Sequence, residues 1–240
     1  ARQLDLQREV DLIEEIARLV GYDNFGSHLP DPVEPGGLTS EQQLLRRLRS
    51  NLRAAGLQEI SHLSLVATEE PANATQVAIS NPLLTDYGCL RTTAVPALLE
   101  AAGRNLQSSQ QGFWGFEIGK VFARDGEDFN EQERLSGVLA GERRQGLWST
   151  SGQPSALTYH QGRGVLARAM AQLGLSLQDR RLKDDERLHP GRSASLVLEG
   201  KVIGVFGELH PRLAEQHDLP AGTLLFDLAL QPVLTAASRA

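Results

Sequence analysis

The chain has 240 residues, 40% hydrophobic and 22% charged, a balance that suits one large soluble domain or two modest ones able to bury a core without staples. Its 30 acidic and 24 basic side chains leave a net charge of −6, which argues against a sequence-independent grip on nucleic acid by the chain as a whole, and no apolar run nears the roughly 20 residues of a membrane-spanning helix. A single cysteine, Cys89, excludes an internal disulfide and a multi-cysteine zinc site and points to a reducing compartment, so the cytoplasm is expected; the lone Met170 and the start at Ala1 read as a piece of something longer.

In chain order, Leu6, Val10, Ile13, Ala17 and Val20 recur at helical spacing and predict a helix that Gly21 stops. Three prolines and two glycines between Ser27 and Gly37 mark a linker over 29–37, separating a first segment, 1–28, from a core, 38–240. Thr39 with Gln42 resembles a capping box, and Leu44, Leu45, Leu48 and Leu52 continue it as a helix over about 40–55. The alternation of 60–66 predicts a strand, with further strands over 76–80, 112–122, 135–141, 193–198, 202–209 and 223–230. Helices are expected over 95–106 and 164–173, and Glu199–Gly200 predicts a tight hairpin. Strands follow strands without regular helix alternation, so the expected class is α+β, an antiparallel sheet flanked by helices.

Several side chains are candidates for chemistry. Asp11, Glu14 and Glu15 share one arc of the first helix, with Asp5 at or before its N-terminus. Such a set reads first as a wet helix face, with Glu14 pairing Arg18 at i, i+4, and second as oxygen ligands for a hard cation such as magnesium. Arg46, Arg49 and Arg53 form a basic stripe on the second helix that could meet RNA phosphates, an acidic partner or only solvent. Glu117 lies among Phe113, Trp114, Phe116, Ile118 and Val121, so in a central strand it must be paired. His189 and His210 each precede proline and suit capping better than zinc binding.

Five segments taken together, REVDLIEEIARLVGYDNF (8–25), NPLLTDYGCLRTT (81–93), FEIGKVF (116–122), HPGRSA (189–194) and IGVFGELHP (203–211), resemble the beta subunit of bacterial phenylalanyl-tRNA synthetase in order and spacing. The resemblance implies that 1–28 is the C-terminal helix of a small domain and that 38–240 is a class II synthetase-like core. It also implies that Asp5, Asp11, Glu14 and Glu15 hold Mg²⁺ shared with an alpha subunit. The second class II motif, whose arginine clamps the α-phosphate of ATP, falls on Phe122, Ala123, Arg124 and Asp125, which puts alanine at the clamp. Gly162, Gly164 and Arg168 only superficially imitate the third motif. The implied function is that of a catalytically inactive scaffold in phenylalanine–tRNA ligase. The alpha subunit would use ATP to join phenylalanine to tRNA(Phe), within an alpha2beta2 heterotetramer that binds the tRNA. A stand-alone regulatory paralogue and an active class II ligase are the alternatives.

Overall fold

The computed structural model describes residues 5–29, 36–68, 75–108, 112–126, 128–142 and 156–239. It divides into two compact units, Ala1–Gly37 and Leu38–Ala240. The first contains α1 (Glu9–Val20), ended by Gly21 at φ 93°, and a 3-10 turn, Tyr22–Asn24. None of the residues of α1 is buried, so the apolar stripe that makes it amphipathic is left open.

The second unit begins with α2 (Ser40–Ala54), where Thr39 and Gln42 form the expected capping box: each side chain accepts from the other's backbone N–H. Short strands β1 (Gln58–Glu59), β2 (Leu65–Val66), β3 (Val77–Ala78) and β4 (Cys89–Leu90) follow, then α3 (Val95–Gln107) with proline in its first turn. The long hairpin of β5 (Gly112–Asp125) and β6 (Asp128–Gly141) precedes α4 (Tyr159–Ala171). Next come β7 (Gln178–Arg181), β8 (Leu188–Leu198), β9 (Lys201–Leu209), α5 (Pro211–Gln216), β10 (Leu224–Ala229) and α6 (Leu230–Ala237). Seven strands form one sheet in the order β1-β5-β6-β10-β9-β8-β7, antiparallel except for the parallel β1–β5 edge, and β2-β4-β3 form a smaller antiparallel sheet. The expected α+β class with a helix-flanked antiparallel sheet is what the structure shows.

Strand alternation sends side chains to two cores. On one face Phe116, Leu135, Leu139, Phe206 and Phe226 pack against Leu48 and Leu52 of α2, Leu166 and Met170 of α4, and Val233 and Leu234 of α6. On the other, Phe113, Val138, Ala140, Leu209 and Leu225 meet Leu98, Leu99 and Ala102 of α3. Each fully buried Phe or Leu contributes about 1.5–3 kcal/mol. At the β8–β9 turn Glu199 and Gly200 take φ 48° and 81°, the paired positive values of a type I′ hairpin.

Four expectations are corrected. Residues 60–66 are not one strand: only Leu65–Val66 is strand, as β2 of the small sheet, while β1 of the large sheet precedes the range and the stretch between them crosses from one sheet to the other. Alternation records which faces are buried, not which strand supplies the ladder. β6 starts at Asp128 rather than near residue 135, because the exposed half of a hairpin satisfies its backbone with β5 and needs no apolar pattern. α4 starts at Tyr159, capped by Thr158 and Gln161, with both of its early glycines inside the helix. Last, β1, β4, β7, α5 and α6 went unforeseen, each being eight residues or shorter.

Candidate functional site

The acidic face of α1 is built around its start. Asp5 lies exposed in a turn before the helix, whose N-cap is Arg8. Asp11, at the third helical position, reaches back: its Oδ2 accepts from the backbone N–H of Arg8 at 2.8 Å and of Gln7 at 3.0 Å, and its Oδ1 lies 3.4 Å from Arg8 Nη2. Those backbone donors, Arg8 first, hold the Asp11 carboxyl below its usual range. Arg18 pairs with Glu15 at i, i+3, not with Glu14 as expected, and Glu14 stands exposed. Among the described residues no three His, Cys, Asp or Glu side chains converge on a point that could hold an ion. The oxygen chemistry suits magnesium, but this chain alone supplies separate carboxylates rather than a finished cage.

Around the second-motif segment the picture is of a sealed charge. Glu117 is 2% exposed and Arg91 3%. Arg91 Nη1 sits 2.7 Å from Glu117 Oε1 as an ion pair rather than an aligned hydrogen bond, while its Nε donates to the carbonyl of Lys120 at 2.9 Å. Glu117 Oε2 is 2.7 Å from His62 Nδ1. A Cβ on Gly119 would lie 2.3 Å from Arg91 Nη2 and 2.9 Å from Glu117 Oε1, so the glycine two positions on makes room for the arginine. The expected partner of Glu117 thus comes from the LRTT segment, with a second from the crossover. Two of the five recognised segments meet in one contact.

Further along β5, Ala123 lines a cavity together with Thr92, Thr93, Arg134, Arg187 and Asp227. Arg124 is not among the lining residues; its guanidinium lies 5.8 Å from the ring centroid of Phe129. Asp227 accepts from Arg134, Ser136 and Arg187. Gly162 is a packing glycine, since a Cβ there would lie 2.2 Å from Leu224 Cδ1; Arg168 is exposed. His210 Nδ1 accepts from the Arg212 N–H at the start of α5, the capping role expected of it, whereas His189 lies within β8 and its Nδ1 accepts from the nearby Gly191 N–H. Of the basic stripe, Arg49 pairs with Glu59 at 2.7 Å, Arg53 approaches Ser50 and Arg46 is exposed.

Residues 27–230 match the family described as the phenylalanyl tRNA synthetase beta chain CLM domain. The chain belongs to the phenylalanyl-tRNA synthetase beta chain family. A phenylalanine–tRNA ligase beta subunit from Synechococcus sp. (strain CC9605) is 54% identical over 239 residues, 100% of this chain and 29% of that protein. Those of Prochlorococcus marinus (strain MIT 9313) and Trichormus variabilis are 52% and 42% identical over 241 and 238 residues, again matching 29% of their length. The beta-chain segment therefore spans under a third of these relatives. Among solved structures, a pyrrolysyl-tRNA synthetase, PylSc of Desulfitobacterium hafniense, superposes with a TM-score of 0.58 at 14% identity, covering 82% of this chain and 67% of that one. At that identity the likeness speaks to the fold, which is that of a class II synthetase. Among the described residues no helix is long and apolar enough to cross a membrane.

Sequence reasoning about this beta-chain domain missed Arg91, His62 and the Asp227 network. The signal for the last was present: Asp227 interrupts the otherwise apolar strand LLFDLA, and a carboxylate there has to be paired.

Proposed function

We propose that this chain is the non-catalytic synthetase-like core of the beta subunit of phenylalanine–tRNA ligase. In this reading it is a scaffold for an alpha subunit that uses ATP to join phenylalanine to tRNA(Phe). The observation that carries the proposal is the family match over 27–230, combined with alanine at position 123 where ATP activation would need a phosphate-clamping arginine. Such chemistry depends heavily on fixed positive charge against the phosphate oxygens, and Arg124 lies outside the cavity that Ala123 lines.

The assembly surface is assigned to 41–66, the α2 helix and the segment after it. α2 keeps Arg46 and Arg53 on its open side, and Leu63 nearby is 64% exposed. Two alpha and two beta chains make the heterotetramer, in the cytoplasm, and the complex binds the tRNA. Residues 1–28 carry α1 as the closing helix of a small domain, with 29–37 as the linker. Asp5, Asp11, Glu14 and Glu15 supply part of an Mg²⁺ shell whose remaining ligands belong to the alpha subunit, where the ion would tie the two chains together; Glu14 and Asp5 are both exposed and so open to such a partner.

The test is a pull-down of the full-length beta subunit by its alpha subunit, with and without chelator. Changing Glu14→Gln together with Glu15→Gln should weaken association and abolish its magnesium dependence. Affinity that stays the same at matched ionic strength rejects the shared-ion reading.

A further inference from the structure

The sheet face that carries α3 is apolar beneath that helix and charged beyond its N-terminal end, where Arg134, Ser136 and Asp227 take over from Val138, Ala140 and Leu225. A cavity of about 280 Å³ opens there. That volume lies at the lower edge of the roughly 300–1,000 Å³ typical of small-molecule sites, which favours a compact ligand over a nucleoside triphosphate.

Charge in this cavity is unequally spent. Asp227 is 5% exposed and both its oxygens are committed: Oδ1 accepts from Arg134 Nε and Ser136 Oγ, each at 3.0 Å, and Oδ2 from Arg187 Nη1 at 3.1 Å. Arg187 is more fully engaged, because its Nε and Nη2 donate to Asp185 at 2.9 and 2.7 Å and its Nη1 to Asp227, which uses three of its five N–H donors. Arg134 is different. Among the described residues only its Nε has a hydrogen-bond partner, and its side chain is 22% exposed. A guanidinium carries five N–H donors in a rigid plane matched to a carboxylate, so four of Arg134's remain available. Thr93, also on the rim, sits just before α3, so the positive end of that helix lies beside the arginine's cavity. Val121 and Ala123 add an apolar wall.

We infer that this cavity binds a small organic acid, its carboxylate held by Arg134 and its apolar body against Val121 and Ala123. Amines and amino acids are disfavoured, because Asp227, the one carboxylate among the described residues lining the cavity, already accepts three hydrogen bonds and has its charge offset by Arg134 and Arg187. The inference does not depend on pairing with an alpha subunit, and its test uses this chain alone.

The experiment titrates the whole 240-residue chain with 3-phenylpropionate in chloride buffer, followed by calorimetry and by amide shifts in NMR. L-phenylalanine, phenethylamine and inorganic phosphate are the comparison probes. The expected result is saturable binding of 3-phenylpropionate with shifts at Thr93, Ala123 and Gln132, at least tenfold weaker binding of L-phenylalanine and of phosphate, and none of phenethylamine. Arg134→Gln should weaken the acid at least tenfold. Ala123→Leu fills the cavity without touching the ion pairs, and should do the same with an unchanged melting temperature, so the outcome does not rest on a variant that disturbs Asp227. Absence of saturation, phenethylamine or L-phenylalanine binding as well as the acid, phosphate matching it, or an affinity indifferent to Ala123→Leu would each overturn the inference.

Discussion

Replacing Glu117 by alanine should be strongly destabilising, because it breaks a buried ion pair. The substitution strands Arg91, which is 3% exposed and has one other anchor, the Lys120 carbonyl at 2.9 Å. It also removes the partner 2.7 Å from His62 Nδ1. Removing one member of a buried ion pair costs about 3–5 kcal/mol, chiefly as the penalty of an uncompensated charge. A domain of this size is stable by only about 5–15 kcal/mol, so the loss is a large share of the whole. At roughly 2–4 °C per kcal/mol, the melting temperature should fall by about 6–20 °C. The assay is thermal unfolding by circular dichroism at low and high salt. Because both partners are shielded from ions in solution, the wild-type-to-variant gap should hardly change in about 0.5 M salt. The double change Glu117→Leu with Arg91→Met should recover much of the loss, since apolar groups of similar volume often replace a buried pair at little cost. A Glu117→Ala variant melting within about 2 °C of wild type, or a double variant worse than the single, would show that the pair is not a sealed unit.

Gly119→Ala should lose about 1–3 kcal/mol from overpacking, because the new methyl would lie 2.3 Å from Arg91 Nη2 and that nitrogen belongs to a side chain already held at Nε. Combined with Glu117→Ala its cost should be less than additive, the same arginine being released, and a double-mutant cycle by chemical denaturation reads this directly. At Asp185, burial pushes the carboxyl up, but the hydrogen bonds and charge of Arg187 outweigh that and hold it below the ordinary value. A depressed folded-state pKa contributes stability above the unfolded value of about 3.9 and loses it as pH falls through the lower folded value. The stability difference between wild type and Asp185→Asn should therefore be full at about pH 5 and shrink progressively below about pH 4, as measured by melting across that range; a gap constant down to about pH 2.5 contradicts the assignment.

The segments legible in the sequence are those whose cause is local. Thr39 and Gln42 start α2 because the donors they satisfy lie within one turn, and Glu199–Gly200 make the β8–β9 turn because two successive residues can both take positive φ. The stripes that bury Leu48 and Leu52, or alternate along β5, need only the period of their own element. The class of the fold and the family followed from these patterns and from five short segments in order. The need for a partner at Glu117 was also readable, since no carboxylate is buried alone.

Which partner it finds was not. Arg91 and His62 reach Glu117 only because the small sheet that holds β4 and the 60–64 stretch that crosses to it from the large sheet both lie against β5, a fact of tertiary pairing that no window of sequence contains. For the same reason 60–66 looked like one strand, and the acidic half of β6 like none: a backbone ladder satisfies itself across space, whatever the side chains. The sequence by itself decided which residues must be buried, capped or paired. Only the folded chain decided with whom, because a contact between distant residues depends on how the sheets are ordered rather than on the residues beside it.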